Sequence, residues 1–260
     1  MANPARRTRA AGALAGALAL AGCVLAACEE PPKKNPFDPP PGQPKQPPPS
    51  EPPQPKGPPE LAIDGLGPKI GFTRVLLDKP EGRARLTQEL GAVREHFEGK
   101  DATAIVDRKA KIPWVVALVD DLAKIGVSKV TIKTETRKEY PAEIGFTPVG
   151  KLSSPAACSV VAMVLDDRGT AVWKLDGGTA TKRAKGFAGP DLTMTGDTIV
   201  RIAKGCKQSD VMFVSATDVI EWGLLYDLAA SARTLSEVSL GTLVLLREPP
   251  VPGHKVDLGA

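Results

Sequence analysis

The sequence predicts an α+β protein made of two small similar domains, each a mixed sheet of about four to five strands with two helices packed on one face, behind a disordered N-terminal tether. Three observations carry that expectation. From Glu29 to Pro59, 15 of 31 residues are proline. Beyond Pro59, strand and helix patterns occur twice in one order. Setting Ala102 to Ile132 over Asp210 to Leu240 without gaps matches Val106 with Val214, Ile112 with Ile220, Trp114 with Trp222, Ser128 with Ser236 and Val130 with Val238.

The first thirty residues read as an export signal. Arg6, Arg7 and Arg9 precede an uncharged Ala/Gly/Leu stretch from Ala10 to Ala27, too short and too weakly apolar for a comfortable membrane span. Cys23 and Cys28 each close a Leu-small-small-Cys pattern of the kind found in bacterial lipoboxes, where the thiol is acylated and the chain is cut just before it. The apolar core ending at Gly22 favours Cys23 by length. The polar Glu29 and Glu30 that follow, and the even pair Cys158 and Cys206 that would remain, favour Cys28. Cys28 is the preferred lipid site and Cys23 the alternative, giving a signal over 1–27 and a tether over 28–59. Such a tether cannot bury enough surface to offset the ordering cost, and its prolines bias it toward an extended chain of about 3.1 Å per residue. Pro44, Pro47, Pro48 and Pro49 also form PxxP-type spacings, although nothing else there specifies a docking partner.

The first domain is expected over 60–134. Leu61 to Asp64 and Lys69 to Leu77 read as strands around a Gly65-Leu66-Gly67-Pro68 turn. Leu86, Leu90, Val93 and Phe97 make one helical stripe that Gly99 ends. A strand from Ala102 to Val106 follows, then a helix from Pro113 to Ile125 with Trp114, Leu118, Leu122 and Ile125 on one face. Val127 to Thr134 completes the set. Residues 135–157, with three prolines and several Gly and Ser, read as a connection.

The second domain is expected over 158–248, before a tail at 249–260. Val160 to Leu165 and Ala171 to Leu175 flank the hairpin turn Asp166-Asp167-Arg168-Gly169. A helix around Asp197 to Lys204 turns Ile199 and Ile202 inward, and Val211 to Val214 is a strand. Asp218 and Glu221 have capping-box spacing for a helix carrying Ile220, Leu224 and Leu228. Val238 to Leu246 closes the domain as a strand.

Little here points to catalysis. His96 and His254 are the only histidines, and neither has a second ligand at metal spacing. No G-x-S-x-G elbow, HExxH or phosphate-loop pattern occurs. Asp120 and Asp121 diverge by about 100° as consecutive helix positions, and Asp166 and Asp167 open a turn, so neither pair reads as a shared-proton dyad. Trp114 and Trp222 lie on apolar stripes and read as core. Cys158 and Cys206 are spaced for a structural disulfide rather than a redox motif. Without the three leader arginines, 31 basic side chains face 30 acidic ones. With no basic block or aromatic ladder, nucleic acid is not an expected partner.

The stretch from Ala102 to Lys133 is a strand with small polar residues after it, then a helix opening on Trp114 and ending at Gly126 and Val127 before another strand. It resembles the periplasmic domain of the ExbD/TolR biopolymer transport family, and Ser159 to Leu246 resembles a more diverged copy. The resemblance implies a module that contacts envelope proteins or the cell wall. It departs from the family in having no acidic residue before Glu29, whereas those proteins carry a transmembrane helix with a functional aspartate.

The expected function is therefore a lipid-anchored, non-catalytic binding module, accessory to envelope transport, to energy-transduction assemblies or to cell-wall contact. A purely structural envelope lipoprotein and a small periplasmic enzyme with a scattered site are the other readings. No cofactor and no metal are expected. The expected partners are envelope proteins or peptidoglycan, with the membrane reached through the N-terminal lipid alone. Neither Val24 nor Glu29 is the aspartate linked to inner-membrane retention, so the expected location is the outer membrane, facing the periplasm.

Overall fold

A computed structural model of the chain describes residues 57–187 and 189–259. The leader, both lipobox cysteines and the tether up to residue 56 lie outside them. Strands β1 (Leu61–Asp64), β2 (Gly67–Ile70) and β3 (Thr73–Arg74) open the fold. Gly71, at φ 56°, breaks the single strand expected from Lys69 to Leu77 into β2 and β3. The apolar stripe from Leu86 to Phe97 is likewise two helices, α1 (Gly82–Ala92) and α2 (Arg94–Phe97), parted at Val93. Then come β4 (Ala102–Val106), α3 (Ile112–Lys124), β5 (Val130–Lys133) and β6 (Glu143–Phe146).

The second half holds β7 (Val160–Val164), β8 (Thr170–Lys174), β9 (Thr181–Arg183), β10 (Lys185–Gly186), β11 (Gly189–Pro190), α4 (Leu192–Lys204), β12 (Val211–Ala216), α5 (Trp222–Arg233) and β13 (Thr242–Leu245). Helix α4 starts earlier than its apolar stripe because Asp191 caps it, accepting from the Met194 amide at 3.0 Å. The capping box expected from Asp218 does not form. Glu221, in extended conformation, stands at the N-cap of α5 and makes no side-chain cap bond.

The expectation of two separate domains of four to five strands is overturned. One sheet of 11 strands runs β3-β2-β1-β4-β5-β6-β13-β12-β7-β8-β9, and only β10 and β11 pair apart from it. Each half does repeat one plan. An antiparallel hairpin (β1 with β2, β7 with β8) leads through helices into two further strands parallel to its first (β4 and β5, β12 and β13). The gapless offset carries β4 onto β12 and α3 onto α5. It fails before β13, which begins at Thr242 rather than Val238.

What fuses the halves is β6, from the stretch expected to be a connection. It pairs antiparallel with β5 over four residues and parallel with β13 through Phe146 opposite Leu243, where the Thr147 amide donates to the Leu243 carbonyl at 2.8 Å. Without it, β5 and β13 would both present apolar edges with unpaired backbone groups.

Side-chain alternation then sets the layers. Leu61, Ile63, Ala104, Val130 and Ile132 of the first half join Val160, Ala162, Met212, Val214 and Leu243 of the second in one core with α1, α3, α4 and α5. The helices therefore share one face. On the opposite face the halves differ. There the second half has its own core of Val161, Met163, Trp173, Phe213 and Val244, roofed by Val149 and Leu152 from one side and by Val256 and Leu258 from the other. The residues expected to be a C-terminal tail are thus part of the fold: the Val256 amide donates to the Leu175 carbonyl and the Trp173 indole to the His254 carbonyl, both at 3.0 Å.

Candidate functional site

Among the described residues the first half has no such roof. In β1, β4 and β5 every second side chain is buried against the helices, and the others, Ala62, Thr103, Ile105, Thr131 and Lys133, face outward. Two hollows share Ile105 and Lys133 and form one trough across this face. The larger, about 780 Å³, lies at the carboxyl ends of the three parallel strands, bordered by Asp64, Asp107, Lys109, Glu135 and Glu143. The second, about 730 Å³, lies at their amino ends, bordered by Pro58, Pro59, His96 and Lys100. Carboxyl ends of parallel strands are where open α/β sheets bind ligands, because side chains and loop amides converge there. Ile105 lies 49 % exposed on the floor and gives the trough an apolar centre.

Some of the charges at the rim are paired, while Asp107, Lys109 and Glu135 make no ion pair among the described residues. Arg74 grips Asp64 with both guanidinium nitrogens, and that hydrogen bonding holds the Asp64 carboxyl down at about 2. Lys133 Nζ lies 2.7 Å from Glu143 Oε1. Arg108 leaves the loop after β4 and donates to both carboxylate oxygens of Asp227 on α5, at 2.9 and 2.8 Å. A charged, partly paired rim over a floor of Ile105, Ala62 and two threonines can offer apolar contact in the middle and hydrogen bonding at the sides. No histidine stands beside a nucleophile in it. Among the described residues no group of three His, Cys, Asp or Glu side chains is placed to hold a metal ion.

The other residues singled out in the sequence fall elsewhere. Cys158 and Cys206 are joined, with Cα atoms 5.5 Å apart, tying the roof of the second half to the loop after α4. His254 is exposed in the C-terminal segment, and His96, whose side chain is 35 % exposed, lies 3.9 Å from Glu95 at the edge of the trough. Asp120 and Asp121 sit among Arg83, Lys124 and Arg247. Burial alone would raise the Asp120 carboxyl, but Lys124, Arg247 and Arg83 together hold it below the ordinary range. Asp167 accepts from the Gly169 amide within its turn. Trp114 and Trp222 are buried, and the Trp222 indole donates to Thr134 Oγ1 at 2.8 Å.

Sequence reasoning missed the trough. One signal for it was present: Ile105 is the only apolar residue on the polar phase of β4, between Thr103 and Asp107. Among the described residues no helix is long and apolar enough to cross a membrane. No protein-family model matches the chain, and no curated protein matches it significantly.

Proposed function

We propose that the chain is a lipid-anchored, non-catalytic binding module of the bacterial envelope, and that the trough on the first half of its sheet is the surface it presents to an envelope protein or to peptidoglycan. One observation carries this reading: two halves of one plan differ in that the second covers its outer face with its own chain, whereas among the described residues nothing covers that face of the first. The covering segments supply Val149, Leu152, Val256 and Leu258. The segment that enters β1 has only Ser, Glu, Gln, Lys, Gly and Pro over residues 50–59, with no aliphatic side chain to do the same. The resemblance of Ala102 to Lys133 to the ExbD/TolR periplasmic domain supports an envelope partner, and the lipobox cysteines support an anchor facing it.

A photo-crosslinking side chain at position 105 in living cells tests the trough. Adducts to an envelope protein or to peptidoglycan are expected; with the crosslinking side chain moved to the neighbouring outward position 103, Ile105→Glu should abolish capture while changing stability by no more than about 0.5 kcal/mol, since the residue is half exposed. A trough that yields no adduct would sink the reading. Metabolic labelling with palmitate tests the anchor separately. Label should disappear in Cys28→Ser; loss only in Cys23→Ser moves the anchor, and an unlabelled parent chain removes it.

A further inference from the structure

A second feature stands away from the trough, at the other edge of the sheet. After β9 the chain forms the β10–β11 hairpin, whose turn begins with Phe187. That phenyl ring is fully exposed, at 111 % of its reference area, and is the most exposed large apolar side chain among the described residues. Residues 177–190 contain Lys182, Arg183 and Lys185 and no acidic residue. Arg201 of α4 joins them by donating to Thr181 Oγ1 at 3.2 Å. Among the described residues none of these four cations makes an ion pair, whereas Asp64, Arg108, Lys133 and Glu143 at the trough each do. Two neighbouring carboxylates accept backbone amides, Asp167 from Gly169 and Asp191 from Met194, and exposed Asp197, one turn before Arg201 on α4, makes no ion pair with it. Met194, on the first turn of α4 just past the hairpin, is itself 40 % exposed.

An unpaired cationic strand leading to a bare aromatic tip matches one kind of surface. Phosphate headgroups take the cations, and the ring enters the boundary between headgroups and acyl chains. We propose that the β9–β11 edge is a reversible membrane contact for anionic phospholipid, made through Lys182, Lys185, Arg183 and Arg201 with Phe187 as the inserted side chain. A soluble polyanion fits less well, since the cations would serve it and the exposed ring would gain nothing. The sheet order separates β4 from β9 by seven strand spacings, about 34 Å at 4.8 Å each, so the contact leaves the trough free. It is independent of the trough's partner and of which cysteine carries the lipid.

The test uses the full chain with Phe187→Trp. Its three native tryptophans are buried, so an added exposed indole is spectroscopically distinct. The protein is mixed with vesicles of phosphatidylcholine alone, or of equal parts phosphatidylcholine and phosphatidylglycerol, in each case with brominated acyl chains. The introduced indole should be quenched and blue-shifted with phosphatidylglycerol only. The effect should vanish near 1 M salt, where screening reaches about 3 Å. Each cation at such a surface is worth about fivefold in partition, so Lys182→Glu with Lys185→Glu should weaken association by at least roughly 25-fold. In the otherwise native chain, Phe187→Ser should weaken co-sedimentation with the mixed vesicles by about tenfold or more. No change in indole emission with the mixed vesicles, or quenching equal in both lipids and indifferent to the charge reversals, overturns the proposal. So does binding to heparin that survives Phe187→Ser without any quenching by vesicles, which would make the patch a polyanion site instead.

Discussion

Arg108 joins the two halves through several bonds. Besides its paired bonds to Asp227 it donates to the Glu135 carbonyl at 2.9 Å, and its stem lies against Gly223, where a Cβ would come within 2.9 Å of it. Asp227 has only 4 % of its side chain exposed, and Thr136 Oγ1 alone would remain beside its carboxylate if Arg108 were lost. Arg108→Ala therefore strands a buried charge and should cost about 3 to 5 kcal/mol, lowering Tm by roughly 10 °C. Calorimetry on the variant checks this, and a loss below about 1 kcal/mol would show that water reaches the carboxylate. The Asp64–Arg74 pair is different because it is exposed. Its carboxyl titrates near 2 rather than the ordinary 3.8, so its contribution is complete above pH 4 and fades as pH falls toward 2. With the Asp64 side chain 46 % exposed, solvent screening keeps that contribution small. A carboxyl NMR titration should give a midpoint near 2, moving back toward 3.8 in Arg74→Ala, with amide protection in β3 weakening over the same interval.

At the scale of elements, the roof over the second half is the feature most sensitive to perturbation. It is made of one short 3-10 turn (Val149–Lys151) and irregular chain, held by a few backbone bonds, four aliphatic side chains and the disulfide between Cys158 and Cys206. The bridge closes a loop across a sequence separation of 48, which loop-closure entropy values at about 4 kcal/mol. Cys158→Ser with Cys206→Ser should lower stability by that order. It should raise amide exchange first around 149–158, ahead of β7 and β12, since irregular segments open before a sheet core. Uniform exchange across both would mean that the roof and the sheet open together. Periodicity predicted β4 without error because it alternates strictly between buried and exposed side chains. It ran β2 into β3 and α1 into α2, because hydrophobic spacing persists through a backbone break that only local dihedrals reveal.

For the molecule as a whole, the shared sheet makes cooperativity the decisive property. The two halves share β6, the central core and cross-bonds such as the Trp222 amide to the Ala110 carbonyl at 2.9 Å and Trp222 to Thr134. Denaturant unfolding should therefore show one transition, coincident by circular dichroism and by tryptophan fluorescence, and residues 57–146 expressed alone should not fold stably. Two resolved transitions would mean that β6 joins independent units.

The sequence by itself determined the repeated order of hairpin, helix, strand, helix and strand, because those elements are written in local apolar periods. It also carried the proline-rich composition of residues 29–59 and the pair of cysteines available for a disulfide. Three matters were decided by tertiary structure alone. The first is that β6, from a stretch rich in Pro and Gly, pairs with strands on both sides and makes one sheet of two halves. The second is that the segments around 149–157 and 253–258 cover one face while, among the described residues, the matching face stays uncovered. The third is that Arg108 and Asp227, 119 positions apart, meet as a buried pair. Each depends on which surfaces meet across the fold, and residue spacing along the chain carries no record of that.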